Sequence, residues 1–339
     1  MTVRRLLPLV LGAATLLLAA PAGAATSSGR PVAQEDRALS LLERASVAGR
    51  SRTYSGLQFS SAWRTGQTDA SVADVRHAPG SGSVVAVRPA AGQRAAEQVV
   101  GATSDLDPRL LRSLATHYRI EVAGRELCAG RSSQVVEARR LDSTLAGRFW
   151  VDDDSGLLVR REVYDGAGAL LRSSAFSSLE VAASGSVDVA PRTAGALSAS
   201  EVSALRPGWR IPEALPNGLD LFDARLRPHG DANVLHLSYT DGLSTLSVFA
   251  QRGRLGSSPT AGFREQDLAG AKVWATAGTP QRVVWSGGGQ VFTLLSDAPT
   301  DTVNEAVAAL PHDAAPRTGL LARLGRGLAR LVSLLNPFD

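Results

Sequence analysis

Apolar and polar positions alternate most regularly between Asn233 and Gln251, "NVLHLSYTDGLSTLSVFAQ". Alternation with period two marks a half-buried strand, and an Asp-Gly pair between two such runs predicts a hairpin. With Asp241 and Gly242 at a two-residue type I′ tip, Leu237 faces Leu246, and Leu235 faces Val248. Ser238 then meets Thr245 and His236 meets Ser247 on the other side. One face is oily and the other mostly polar, as an antiparallel sheet with one covered face requires.

Elsewhere the period changes. "EDRALSLLERASVAG" from Glu35 places Leu39, Leu42 and Ala45 on one side of a helix that Gly49 ends. "TYSGLQFSSAW", "SVADVRH" and "SVVAVRP" read as short strands. "DLDPRLLRSLATHY" predicts a second helix, with Asp105 or Asp107 as cap and Pro108 in its first turn. The segments from "YRIEVAG" to "AFSSLEV" form an antiparallel meander turned at Asp154-Ser155-Gly156 and at Asp165-Gly166-Ala167-Gly168. Residues 182–204 carry little apolar mass and read as a linker. A second unit, 205–312, holds the Asp-Gly hairpin, a looser one around Ser286-Gly-Gly-Gly289, and a helix that Asp301 or Thr302 can cap.

Both ends of the chain are different in kind. Arg4 and Arg5, the run "LLPLVLGAATLLLAAPAG" and Ala22-Gly23-Ala24 have the plan of a secretory signal over 1–24, with an uncleaved anchor as the alternative. The chain is therefore expected to be exported, to a periplasm or the outer face of a plasma membrane. The tail 317–336 is expected to be a basic amphipathic helix. Its Leu321, Leu324, Leu328 and Leu331 fall on one arc, and Arg323, Arg326 and Arg330 lie opposite. Such a helix lies on an anionic membrane surface, or packs on its own domain.

Composition narrows the chemistry. The chain has 339 residues, 44% apolar and 20% charged, which is enough for two folded units. Setting aside Arg4 and Arg5, basic and acidic residues nearly balance, so a nucleic-acid partner is not expected. Cys128 is the single cysteine, so no internal disulfide can form, and it reads as a small core residue. His77, His117, His229, His236 and His312 show no metal-ligand spacing. "VDDDSG" at 151–156 lacks the alternation and closing Glu of a calcium loop and reads as a solvated turn. No nucleophile elbow, zinc-protease helix or P-loop is present, so neither catalysis nor a cofactor is expected.

The ordered segments "ALSLLERA", "YSGLQF", "VRH", "HYRIEVAG", "CAGR", "GRFWVDDDSGLLVRREVYDGAGALL", "AFSSLEV", "LPNGL" and "LHLSYTDGLSTLSVF" resemble the RseB/MucB family of extracytoplasmic sigma-factor regulators. The likeness runs over about 36–312, loosely over 66–104, and leaves out the tail after His312. It implies an α+β protein: a large half-open antiparallel β-barrel with packed helices, LolA-like and enclosing an apolar cavity, over 36–181, plus a smaller α+β C-terminal domain over 205–312. It also implies a role. Family members bind the extracytoplasmic segment of a transmembrane anti-sigma factor, limit its proteolysis, and let go when a lipid or lipoprotein ligand is sensed. The expected partner face is the C-terminal hairpin, with Ser238, Tyr239, Asp241, Gly242, Thr245 and Ser247. A lipid or lipoprotein carrier using the same cavity is the alternative.

Overall fold

The computed structural model describes residues 29–64, 67–79, 82–88, 96–98, 106–182, 196–229, 232–255, 262–268, 270–276 and 280–312. The expected signal segment 1–24 and the tail 317–336 lie outside them.

The first lobe contains helix α1 (Gly29–Ser51) and strands β1 (Tyr54–Arg64), β2 (Gln67–Ala78), β3 (Gly82–Val87) and β4 (Ala96–Gln98). Helix α2 (Pro108–His117) follows, then β5 (Arg119–Cys128), β6 (Arg131–Arg139), β7 (Leu145–Asp152), β8 (Leu158–Tyr164) and β9 (Leu170–Val181). These nine strands make one antiparallel sheet in the order β4-β3-β2-β1-β9-β8-β7-β6-β5. Helix α1 begins six residues before the expected Glu35. Of the two candidate caps of α2, Asp107 is the one used, accepting from Arg109 N at 2.7 Å.

The meander strands are buried on both faces. Val136, Ala138, Phe149 and Val151 pack under Ala38, Leu41, Leu42 and Ala45 of α1. On the opposite face Cys128, Val135, Trp150 and Val159 form a second cluster with Leu179 of β9. An outer strand can reach β9 across three intervening strands only if the sheet coils, so the lobe is a half-open barrel. Cys128 lies in that cluster, where burial pushes its thiol pKa up.

The "VDDDSG" turn is not uniformly solvated. Asp154 is exposed, but Asp152 is fully buried, paired with Arg131 through two 2.9 Å hydrogen bonds. The Ser155 N–H and Oγ also donate to it, at 2.8 and 2.5 Å. Period-two alternation turns Asp152 inward, and Arg131 on the neighbouring strand meets its charge.

The second lobe contains α3 (Ala199–Leu205), β10 (Ala214–Leu215), β11 (Leu219–His229), β12 (Ala232–Thr240), β13 (Thr245–Arg252), β14 (Arg264–Leu268), β15 (Ala271–Thr276), β16 (Gln281–Gly287), β17 (Gln290–Ser296) and α4 (Thr300–Ala309). Its strand order is β10-β11-β12-β13-β17-β16-β15-β14, again antiparallel. Val202 of α3 and Val303, Ala306 and Val307 of α4 cover one face, over Leu235, Leu237, Tyr239, Leu246, Val248, Trp285 and Phe292. Helix α3 begins inside the stretch read as linker and ends on Leu205, the first residue of the expected second unit. It is fixed by a capping box in which Ser198 and Glu201 satisfy each other's backbone N–H. Helix α4 has Pro299 at its cap position and no side-chain cap, so neither Asp301 nor Thr302 serves as one.

The Asp-Gly hairpin differs from expectation in its turn. Thr240 pairs with Thr245, Ser238 with Ser247, Leu237 with Val248, and Leu235 with Ala250. The loop is four residues long. Asp241 Oδ1 accepts from the N–H of Leu243 and of Ser244, at 2.8 and 2.7 Å. Thr240 Oγ1 accepts from Gly242 N and donates to Ser244 O. These side-chain bonds close a wider turn than type I′. Because the register moves by two, the faces stay as expected. A two-residue turn with φ > 0 at both central positions does occur, at Gly288 (φ 60) and Gly289 (φ 77).

Candidate interaction site

The hairpin tip is inserted into the first lobe. Leu243, 3% exposed, belongs to the core cluster formed by α1, α2 and the meander. The space a Cβ would take at Gly147 is filled by Leu243 Cδ2, 2.7 Å away. At Gly242 (φ +93) an added Cβ would come within 2.4 Å of Leu114 N, so the tip lies directly on the backbone of α2.

Polar bonds surround this plug. The Tyr118 hydroxyl donates to Asp241 Oδ2 at 2.7 Å, and Ser113 Oγ donates to Thr240 O at 3.1 Å. Arg161 Nη2 donates to Leu243 O at 2.7 Å. Farther out, Arg109 Nη1 donates to Phe222 O at 2.9 Å, and His117 Nε2 lies 3.4 Å from Asp220 Oδ2. Arg172 pairs with Asp297. Burial, with the Asp241 carboxylate beside it, pushes the Tyr118 pKa well above its ordinary value, so this tyrosine stays a donor.

The six hairpin residues singled out by sequence are dispersed. Tyr239 points to the opposite face from Ser238 and Ser247, as period two demands. It is wholly buried, with its hydroxyl donating to Pro212 O at 3.1 Å. Asp241 and Gly242 are taken up by the joint between the lobes. Tyr239 and Gly242 therefore present no surface to a partner. Ser238 is buried, 3.3 Å from His236 Nε2. Thr245 and Ser247 remain half-exposed on the face that α3 and α4 leave uncovered. On that face His236 stacks on Phe249, with centroids 4.3 Å apart. Burial pushes the His236 pKa down. The seven tail residues Leu321, Arg323, Leu324, Arg326, Leu328, Arg330 and Leu331 lie outside the described residues.

Three further hollows bear on binding. The inner face of the coiled first sheet carries paired charges beside its apolar cluster, where the family resemblance implied an apolar cavity. Glu137 pairs with Arg139 and Arg148, Glu162 with Arg160, and Trp150 Nε1 donates to Glu126 at 2.8 Å. A hollow of about 390 Å³ opens there. The helix-covered face of the meander, which could have held an apolar cavity, is filled by α1, α2 and Leu243. An apolar-walled hollow of about 530 Å³ survives beyond α1, beside Tyr54, Val84 and Val181. There the Tyr54 ring stacks on His77, whose Nδ1 is 2.8 Å from Ser83 Oγ. The third hollow, of about 380 Å³, lies between α3 and β11. Among the described residues no group of His, Cys, Asp and Glu could hold a metal ion, and no helix is long and apolar enough to cross a membrane.

Sequence reasoning missed Leu243, Tyr118, Arg161 and Asp223. Leu243 carried a faint signal: an apolar residue directly after a turn glycine has no strand partner and must be buried elsewhere.

Residues 69–203 match the family model of the MucB/RseB N-terminal domain, from within β2 to within α3. Among solved structures, the chain is similar to MucB in complex with MucA(peri), at 22% identity over 82% of this chain and 100% of that one, with a TM-score of 0.46. The Pseudomonas aeruginosa MucA/MucB complex matches with the same figures. The LolA superfamily protein NE2245 from Nitrosomonas europaea matches at 10% identity over 76% of this chain and 90% of that one, with a TM-score of 0.20. No curated protein sequence matches.

Proposed function

We propose, from the match of residues 69–203 to the model of the MucB/RseB N-terminal domain, that the protein is a non-catalytic extracytoplasmic regulator. It holds the outer segment of a transmembrane anti-sigma factor, limits that segment's proteolysis, and yields it when an apolar envelope ligand binds. The match of this domain over most of the coiled sheet is the observation that carries the reading. The activity is burial of another protein's surface. Thr245 and Ser247, beside the stacked His236–Phe249 pair, give the second sheet a half-exposed face for it.

The hollow at Tyr54, Val84 and Val181 is where we place the apolar ligand, since its walls are largely hydrocarbon and the hollow on the inner sheet face is lined mainly by charged side chains. A ligand there acts only if it prefers one lobe arrangement over another. Arg50 O lies 3.3 Å from His77 Nε2, so a guest displacing this ring also disturbs the end of α1.

The test is calorimetric titration of the exported chain with the outer segment of a transmembrane anti-sigma factor from the same organism. Micromolar or tighter binding that slows proteolysis of the segment is expected, and absence of binding ends the reading. Flotation with anionic vesicles, with and without residues 317–339, tests the tail, and equal flotation removes its membrane role.

A further inference from the structure

We propose that the face of the second sheet left uncovered by α3 and α4 binds a second copy of this chain, about a two-fold axis that runs along the strands over β17. The proposal goes beyond the regulator reading and does not depend on it.

The register lays one row of side chains across seven strands, from β11 to β14. Arg225 faces His236, which faces Phe249, which faces Thr293. Thr293 faces Val284, which faces Trp274, which faces Glu265. Along each central strand these residues alternate with core residues such as Leu237, Val248, Leu294 and Val283, so the row lies on the uncovered face. That face of an antiparallel sheet is ordinarily polar. Here the middle of the row is largely apolar and half-exposed, and Val234, Val291 and Leu295 widen it to either side. A contiguous patch of this kind marks a surface that meets another molecule.

Charge selects the occupant. At the β11 rim Arg225 is paired with Asp223, and at the β14 rim Glu265 is paired with Lys272. Arg227 remains at the first rim and Asp267 at the second, both exposed and, among the described residues, in no ion pair. Each stands two residues along its strand from the end of the row. Strands β11 and β14 run in the same direction, so the two charges lie on the same side of the row. An acidic or a basic partner would satisfy one rim and be repelled at the other. A second copy turned about an axis along the strands satisfies both. Arg227 of each copy then meets Asp267 of the other, His236 lies over Trp274, and Phe249 lies over Val284. An axis across the strands would set each rim against itself, where like charges meet. The contact is therefore isologous, and its strands stay nearly aligned, as in sheets packed face to face.

The area suffices for a reversible dimer. The face spans six inter-strand steps of about 4.8 Å and about five residues at about 3.3 Å each, so two copies bury about 1,000 Å² in all. That is the lower end of specific interfaces.

Sedimentation velocity on the full exported chain, over a concentration series, decides the matter. A monomer–dimer equilibrium is expected. Arg227→Glu and Asp267→Arg, each alone, are expected to weaken it at least tenfold with the thermal midpoint unchanged. An equal mixture of these two variants is expected to associate as the wild type does, because reversed charges then face each other at one rim and native charges at the other. Phe249→Ser is expected to weaken the dimer with no recovery on mixing. Should either charge variant unfold, the chain carrying both replacements is read beside Phe249→Ser, and it is expected to dimerise like the wild type. A wild-type chain that stays monomeric throughout overturns the proposal. So do single charge variants that dimerise normally, or that fail to recover when mixed.

Discussion

The Tyr118 hydroxyl, on the first lobe, donates to the Asp241 carboxylate at the hairpin tip of the second, 2.7 Å away. Asp241 Oδ1 meanwhile holds the backbone of its own turn, through Leu243 and Ser244. One side chain therefore both shapes the loop and fastens it across the joint. A hydrogen bond to a charged group contributes about 1.5–3 kcal/mol. Tyr118→Phe is expected to lower unfolding stability by that amount in urea titration. An unchanged midpoint would mean that the joint does not hold in solution.

Leu243→Ala removes a buried leucine from a cluster that cannot close over the gap, since α1 and the meander already pack there. A loss of about 2–5 kcal/mol is expected. The joint also gives the variant a second signature. Scattering in solution should report a wider spread between the lobes than in the wild type.

Gly242→Ala faces two obstacles. Its φ of +93° is strained for any side chain, and the new methyl would overlap the backbone of Leu114 at 2.4 Å. Together these cost about 2–5 kcal/mol. Gly288→Ala, at the other hairpin, has only the strain, because nothing lies nearer than 3.9 Å, and is expected to cost about 1–2 kcal/mol. Thermal melts of the two variants side by side test the difference.

Acid should act through Asp152. Burial works against its charge, but the hydrogen bonds from Arg131 and Ser155 outweigh this and hold its carboxyl below the ordinary 3.8. A lowered folded pKa gives stability that is fully present above the unfolded value and lost as pH falls through the folded one. Asp152→Asn is expected to be about 3 kcal/mol less stable at pH 7, with a flatter stability curve below pH 4. Parallel slopes for the two proteins would assign the acid loss to other carboxylates.

Alkali should act through tyrosines. Burial and the neighbouring Glu162 push Tyr164 up to about 12 from 10.0. A raised folded pKa gives stability that is complete below the unfolded value and is lost as pH climbs through the folded one. Stability is therefore expected to fall between pH 10 and 12, and to fall less steeply in Tyr164→Phe. Ultraviolet titration of tyrosinate alongside circular dichroism follows both events.

Much of this fold is legible in the chain because burial follows period. Leu42 and Ala45 announce α1, with Leu39 beside them only partly buried, and Leu235, Leu237, Leu246 and Val248 announce the covered side of the hairpin. What local pattern cannot show is where a turn is placed in space. Asp241-Gly242 looks like a free hairpin tip, yet its loop width is set by side-chain bonds and its position by a socket more than eighty residues earlier in the chain. The capping box at Ser198 and Glu201 was readable and was masked by the small residues around it. The charged interior was hidden for another reason. Glu137 and Glu162 sit at the polar positions of amphipathic strands, which normally meet water, and only the coiling of the sheet encloses them.

Leu243 makes the earlier half of the chain depend on the later one. Strand β9 precedes this leucine, so the first lobe by itself lacks the side chain that fills the space beside Gly147. Only when the later hairpin arrives is the earlier half finished.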